Sequence, residues 1–137
     1  MKNVIYKVEK SLDPSEFIDV LKRSTLGERR PIDDFERVKK ICENSNLIVS
    51  ARLDGNLIGI ARSVTDFYYC TYLSDLAVDK DYQKKGIGKR LIEETKKHSQ
   101  QATLILLSAP AAVDYYPKIG MVRHNHCFIL TNLNDLR

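Results

Sequence analysis

Lysines, glycines and one glutamine crowd a short stretch, Asp79-Lys80-Asp81-Tyr82-Gln83-Lys84-Lys85-Gly86-Ile87-Gly88-Lys89-Arg90, and their chemistry suits an anion. Gly86 and Gly88 carry no Cβ, so a ligand can come close to the backbone there. Downstream, Ile87, Leu91, Ile92 and Thr95 recur at the spacing of one helix face, which predicts a helix opening at these glycines. The amides of a helix's first turn lack intrahelical acceptors and lie at the positive end of its dipole, which makes a site for phosphate. Lys84, Lys85 and Lys89 add mobile positive charge around it. Upstream, Leu73-Ser74-Asp75-Leu76-Ala77-Val78 reads as a strand. A strand, a basic turn and a glycine-opened helix together point to a pyrophosphate.

Two common phosphate motifs do not fit. A P-loop needs GxxxxGK followed by Ser or Thr, but Arg90 follows Lys89 and Gln83 stands where a glycine is required. A dinucleotide fingerprint needs a third glycine where Leu91 stands, and eight residues separate Val78 from Ile87. Gln83-x-x-Gly86-x-Gly88 behind Leu76-Ala77-Val78 instead resembles the acetyl-CoA signature, Gln/Arg-x-x-Gly-x-Gly/Ala, of the GNAT superfamily of N-acetyltransferases. A plain helix start with solvated lysines would need neither both glycines nor the strand.

The elements that must position this stretch follow from the rest of the chain. Its 137 residues suit one domain, 1–137, large enough for a continuous core. With 43% hydrophobic and 29% charged residues, the balance is that of a globular protein and argues against extended disorder. The net charge of +4 favours an anionic cosubstrate but is too dispersed to imply nucleic acid. Cys42, Cys70 and Cys127 lack CxxC spacing, so neither a disulfide framework nor a zinc site is expected. Reduced thiols in a cytoplasmic protein are the expectation. No apolar run is long enough to span a bilayer, and residues 1–7 alternate instead of forming a signal segment.

Alternation predicts a first strand at about residues 3–9. Asp13-Pro14-Ser15-Glu16 starts a helix with Phe17, Ile18, Val20 and Leu21 buried, ending near Thr25-Leu26-Gly27. Pro31-Ile32-Asp33-Asp34 starts a second, with Phe35, Val38, Ile41 and Cys42 inward. Strands 46–53 and 56–65 flank Asp54-Gly55, a dipeptide suited to a tight hairpin turn. Another strand covers 69–78, and the phosphate-binding helix covers about 86–100. Residues 103–107 read as a fully covered central strand, 110–118 as a short helix, and 121–124 with 127–131 as a closing hairpin or pair of strands. The order βααβββαβαβ(β) predicts an α/β (α+β) fold, a mixed and mostly antiparallel sheet with helices on both sides.

That order resembles the GNAT order along nearly the whole chain. The resemblance implies six to seven strands, about four helices and two splayed central strands. The pantetheine arm of acetyl-CoA would lie in the splay and hydrogen-bond to the backbone around Leu76, Ala77 and Val78, as a strand does at a sheet edge. Gln83, Lys84, Lys85, Gly86, Ile87, Gly88 and Lys89 would hold the pyrophosphate. It further implies an N-acetyltransferase moving an acetyl group to a primary amine in one ternary complex, with no metal, and it allows a homodimer. A non-catalytic acyl-CoA-binding regulatory module on the same fold is the alternative.

Val113-Asp114-Tyr115-Tyr116-Pro117-Lys118-Ile119-Gly120-Met121 resembles the family segment whose second aromatic is the general acid near the coenzyme sulfur, which falls on Tyr116. A phenol with an ordinary pKa of about 10 is protonated at pH 7 and comparable to a leaving thiol. The alternative for Tyr116 is a packing aromatic, and Pro117 departs from the usual polar residue of that segment. For a general base, related enzymes point to Asp75, which would need a pKa raised by burial; a hydrogen-bonded strand aspartate is the other reading. His124-x-His126 lacks the third ligand that zinc needs. His98 suits a helix end, and alternation splits Tyr68, Tyr69 and Tyr72 between core and surface.

Overall fold

The computed structural model describes residues 3–137. Their elements run β1 (Val4–Glu9), α1 (Pro14–Ser24), α2 (Phe35–Glu43), β2 (Leu47–Leu53), β3 (Asn56–Thr65), β4 (Cys70–Val78), α3 (Ile87–Lys97), β5 (Thr103–Ile105) and α4 (Tyr115–Lys118). The fold is the expected α/β type. The chain divides into two compact units, one ending at Leu107 and the other Ser108–Arg137.

In the first unit the strands form one sheet in the order β1-β2-β3-β4-β5. Neighbours are antiparallel except β4 and β5, which run parallel. Asp54 (φ 51°) and Gly55 (φ 83°) supply the two positive-φ positions of the tight β2–β3 turn. Asp13 caps α1 by accepting the Ser15 amide at 3.0 Å, and Thr25 (φ 73°) ends the helix in the left-handed region. Asp34 caps α2 by accepting the Arg37 amide at 3.1 Å.

Two apolar cores sandwich the sheet. Phe17, Val20 and Leu21 of α1 and Val38 and Cys42 of α2 pack on Ile48, Ile60 and Ala77. On the other face, Ile87 and Leu91 of α3 pack on Val49, Ala51, Ala61 and Leu73. Each fully buried Leu or Phe contributes about 1.5–3 kcal/mol, so the helices are held chiefly by these stripes. Phe35, expected inward, is exposed in the first turn of α2; the covered stripe begins one turn later at Val38.

The strand count is five among the described residues, against six to seven expected. β5 has only three residues, and Ile105 and Leu107 are about half exposed (54% and 50%), so it is not a fully covered central strand. The second unit contains α4 and two short 3₁₀ turns, Pro110–Ala112 and Leu133–Asp135. The closing hairpin is reduced to its turn, where the His126 amide donates to His124 Nδ1 at 2.9 Å. Val122, Phe128 and Ile129 remain exposed: β propensity reflects packing on a pleated surface, and without a ladder it makes no strand.

Tyr68 and Tyr69 also differ from expectation. They lie in the β3–β4 turn, where Asp66 Oδ1 accepts their amides, and both are exposed with Tyr72 instead of split between core and surface. His98 caps the end of α3 as expected. The three cysteines are free, Cys42 buried and Cys70 and Cys127 exposed. No helix among the described residues is long and apolar enough to cross a membrane.

Candidate active site

β4 lies beside β3 along its length but beside β5 only at Cys70, Thr71 and Tyr72, which face Thr103, Leu104 and Ile105. Among the described residues, 73–78 have no ladder partner on the β5 side, which is the splay expected of β4 and β5. The parting begins beside a β-bulge: Leu73 faces Ser63 and Asp75 faces Arg62, so Ser74 has no counterpart on β3. A bulge bends its strand and increases the local twist, turning β4 off the line of β5. It also switches faces. Leu73 joins the core under α3, whereas Ala77, four residues on, joins the core under α1. Leu76 and Val78 pack on the α3 side, and Ala77 is buried, so it offers a ligand only its backbone.

Beyond the free edge the chain turns tightly into α3. Asp79, 7% exposed, pairs its amide with the Ile58 carbonyl at 2.8 Å and accepts the Asp81 amide at 2.9 Å. Arg23 of α1 reaches the other Asp79 oxygen at 2.5 Å and the Leu57 carbonyl at 2.6 Å. Gln83 Nε2 donates back to the Val78 carbonyl at 2.9 Å, tying the loop to the last residue of β4. Lys84 (φ 63°) and Gly86 (φ 85°) take left-handed conformations, the kind of backbone that gathers amides into an anion-holding concavity.

Gly86 caps α3 with no side-chain hydrogen bond, so the first-turn amides of Ile87, Gly88 and Lys89 are not covered by a cap. A Cβ on Gly86 would meet nothing within 4 Å. The glycine therefore serves conformation, not packing, and leaves the backbone there open to approach. Gly59 of β3 does the opposite: a Cβ there would stand 3.2 Å from both Ile87 and Leu91, so its absence lets α3 settle on the sheet. Beside Gly86 a cleft of about 400 Å³ is lined by Val4, Tyr6, Lys85, Ile87 and Arg90, with the Arg90 guanidinium 4.8 Å from the centre of the Tyr6 ring.

These features fit a coenzyme A thioester. The free edge of residues 73–78 can pair with an amide-bearing arm, and the uncapped amides of α3 with flanking lysines can take a pyrophosphate. Leu76, Ala77, Val78, Gln83, Lys84, Lys85, Gly86, Ile87, Gly88 and Lys89 thus form one continuous strand–turn–helix.

Asp75 is 1% exposed and turned to the α1–α2 side. Both its oxygens accept from guanidinium groups, one from Arg30 Nε and the other from Arg62 Nε. Arg62 Nη1 also donates to Ser45 Oγ at 2.9 Å, and its guanidinium lies 6.0 Å from the centre of the Phe17 ring. In the second unit, the ring of Tyr116 meets that of Tyr115 edge-on at 5.2 Å. Burial, and secondarily Tyr115, push the Tyr116 phenol above its ordinary pKa, so it is protonated at neutral pH.

The Acetyltransferase (GNAT) domain family matches residues 29–132. The chain belongs to the GNAT acetyltransferase family. Among curated relatives of this GNAT chain, an uncharacterized N-acetyltransferase ycf52 from Pyropia yezoensis is 30% identical over 102 residues, 69% of this chain and 57% of that protein. The chain thus spans little more than half the length of that relative. Glucosamine 6-phosphate N-acetyltransferase 1 from Dictyostelium discoideum is 26% identical over 119 residues, 80% of this chain and 76% of that protein. A GNAT family acetyltransferase from Streptococcus pneumoniae shares the fold with a TM-score of 0.79 at 20% identity, covering 95% of this chain and 98% of its own. An aminoglycoside acetyltransferase from an uncultured soil metagenomic sample, in complex with sisomicin, shares it with a TM-score of 0.71 at 20% identity, covering 95% and 96%.

Sequence reasoning missed several residues that shape this GNAT site. Gly59 had a readable signal, an isolated glycine inside a strand, which marks a close approach. Asp79 directly before a short turn read only as part of the stretch, although its capping geometry is local. Arg23, Arg30 and Arg62 had no local signal, because their partners lie 56, 45 and 13 residues away.

Proposed function

We propose that this GNAT chain transfers the acetyl group of acetyl-CoA to a primary amine. The single observation that carries the reading is the unpartnered edge of β4 at residues 73–78, running directly into the uncapped, glycine-opened start of α3. The arm of the coenzyme pairs with that edge, and its pyrophosphate lies on the amides and lysines of residues 83–89.

The acceptor nitrogen attacks the thioester carbon. The C–N bond forms, the C–S bond breaks, and the sulfur leaves with the electron pair. Tyr116 donates its phenolic proton to that sulfur; its motif and its upward-shifted pKa support this role. A backbone amide near Val78 polarises the carbonyl oxygen. The attacking nitrogen sheds its extra proton to water as the amide forms, and the Tyr116 phenolate regains a proton from water. Asp75 is not assigned as the acceptor of the nitrogen's proton, since both carboxylate oxygens are held by Arg30 and Arg62.

The family match over 29–132 spans both compact units, which supports reading 1–137 as one GNAT domain. Exposed, unpaired Cys70 and Cys127 support a reducing, cytoplasmic setting. Amino sugars lead the acceptor panel, because one relative is named for glucosamine 6-phosphate.

Calorimetric titration with acetyl-CoA, repeated on Gly86→Val, tests the site, and thiol release with the amine panel tests the transfer. A Cβ at Gly86 finds room but meets an unfavourable φ of 85°, a strain of about 1–2 kcal/mol that leaves the fold intact. Saturable binding lost in the variant, with thiol release for an amine, is the expected result. Absence of binding by the native chain overturns the proposal, and binding without turnover for any amine leaves only an acyl-CoA-binding module.

A further inference from the structure

The bulge at Ser74 is not held by the sheet alone. Arg30 Nη2 donates to the Ser74 carbonyl at 2.8 Å while its Nε pairs with Asp75, so one planar guanidinium grips two consecutive residues of β4. Its Nη1 donates to the Arg29 carbonyl at 3.0 Å, which steadies the head group from its own side. Arg30 stands just after the 3₁₀ turn Leu26–Arg29 that follows α1, and just before Pro31. Proline disfavours helix in the preceding residue, and Arg30 is extended (φ −133°, ψ 153°), aiming its side chain across the sheet. Opposite, Arg62 of β3 takes the second Asp75 oxygen and is tied through Ser45 Oγ to the Ile41 carbonyl of α2 at 2.7 Å.

We propose that Arg30 is a positioning residue: by gripping Ser74 and Asp75 from the α1–α2 connection, it holds the β4 bulge and so keeps open the β4–β5 gap in which the coenzyme arm lies. The inference rests on the coenzyme reading of that gap. It also makes the gap answer to the α1–α2 connection, because the grip is lost if residues 26–34 move away. A lysine at position 30 has one ammonium in place of the planar fork and cannot hold both residues in this geometry.

The test compares the 137-residue chain with Arg30→Ala and Arg30→Lys, using amide hydrogen exchange and coenzyme A calorimetry well below each melting temperature. Leu12→Ala, a core truncation just after β1 at the opposite edge of the sheet, serves as a control for lost stability. Loss of a charge-assisted bond to Ser74 should speed exchange of the amides at 74–76 and weaken coenzyme A binding, each by about tenfold, with Arg30→Lys rescuing neither fully. Leu12→Ala should lower the melting temperature and leave the affinity unchanged. Unchanged exchange at 74–76 in Arg30→Ala overturns the grip. Faster exchange with unchanged affinity, or an equal loss of affinity in Leu12→Ala, overturns the link to the coenzyme. A native chain that binds no coenzyme A overturns the proposed function and the coenzyme part of this inference, while the exchange data still decide the grip.

Discussion

Replacing Asp75 by asparagine removes one negative charge from between two guanidinium groups and nearly preserves the side chain's shape. Asp75 is 1% exposed and Arg62 8%, so neither is compensated by water. Removing one partner of a buried ion pair costs about 3–5 kcal/mol, because the other charge is left uncompensated. Here Arg62 retains Ser45 Oγ and the more exposed Arg30 can turn towards solvent, which places the loss near the lower bound, about 3 kcal/mol. For a chain of this size that is a fall in Tm of roughly 10 °C. Urea unfolding followed by circular dichroism at pH 7 measures it, with turnover recorded well below the variant's Tm. A loss below about 1 kcal/mol, the value of an exposed pair, would refute the structural role. A kcat reduced about 10²–10⁴-fold at unchanged stability would show instead that Asp75 is a general base.

Other predictions follow from the same geometry. Gly59→Val forces Cβ and its methyls onto Ile87 and Leu91, where a Cβ alone already stands at 3.2 Å; an overpacking loss of about 1–3 kcal/mol by urea unfolding, with weakened coenzyme A binding as α3 shifts, is expected. Tyr116→Phe should lower kcat by about 10²-fold or more while leaving coenzyme affinity intact in calorimetry. Because the Tyr116 pKa is raised above 10.0, the proton-donating form is lost only as pH climbs through that raised value, and an alkaline limb of kcat there should vanish in the variant. Burial pushes the Cys42 thiol up to about 11, so iodoacetamide at pH 8 should label Cys70 and Cys127 and spare Cys42 in the native state, as read by peptide mass.

Much of the site was legible because its determinants are local. Asp13 and Pro14, Asp34, and Asp54-Gly55 act within a few residues of themselves, and the structure places a helix start or a turn at each. Gln83, Gly86 and Gly88 were legible for the same reason, since a turn and a helix start are written into consecutive positions. The lack of C-terminal strands among the described residues was not legible, because Val122, Phe128 and Ile129 have β-forming side chains whether or not a ladder is present. Phe35 misled by helical spacing, which says which face a residue shares but not how far along the helix the covering surface extends.

By itself, the order of residues determined the element sequence through residue 100, the capping of the helices and the phosphate-suited opening of α3, all set by interactions within a turn or two of backbone. Only the tertiary structure decided that Asp75 faces two arginines, that Ser74 bulges, and that β4 leaves β5 after Tyr72. Alternation along a strand assumes an unbroken ladder, and one unpaired residue reverses every face that follows. Where that residue falls depends on how β3, β4 and the arginine arriving from the α1–α2 connection meet in space, so no window of sequence contains it.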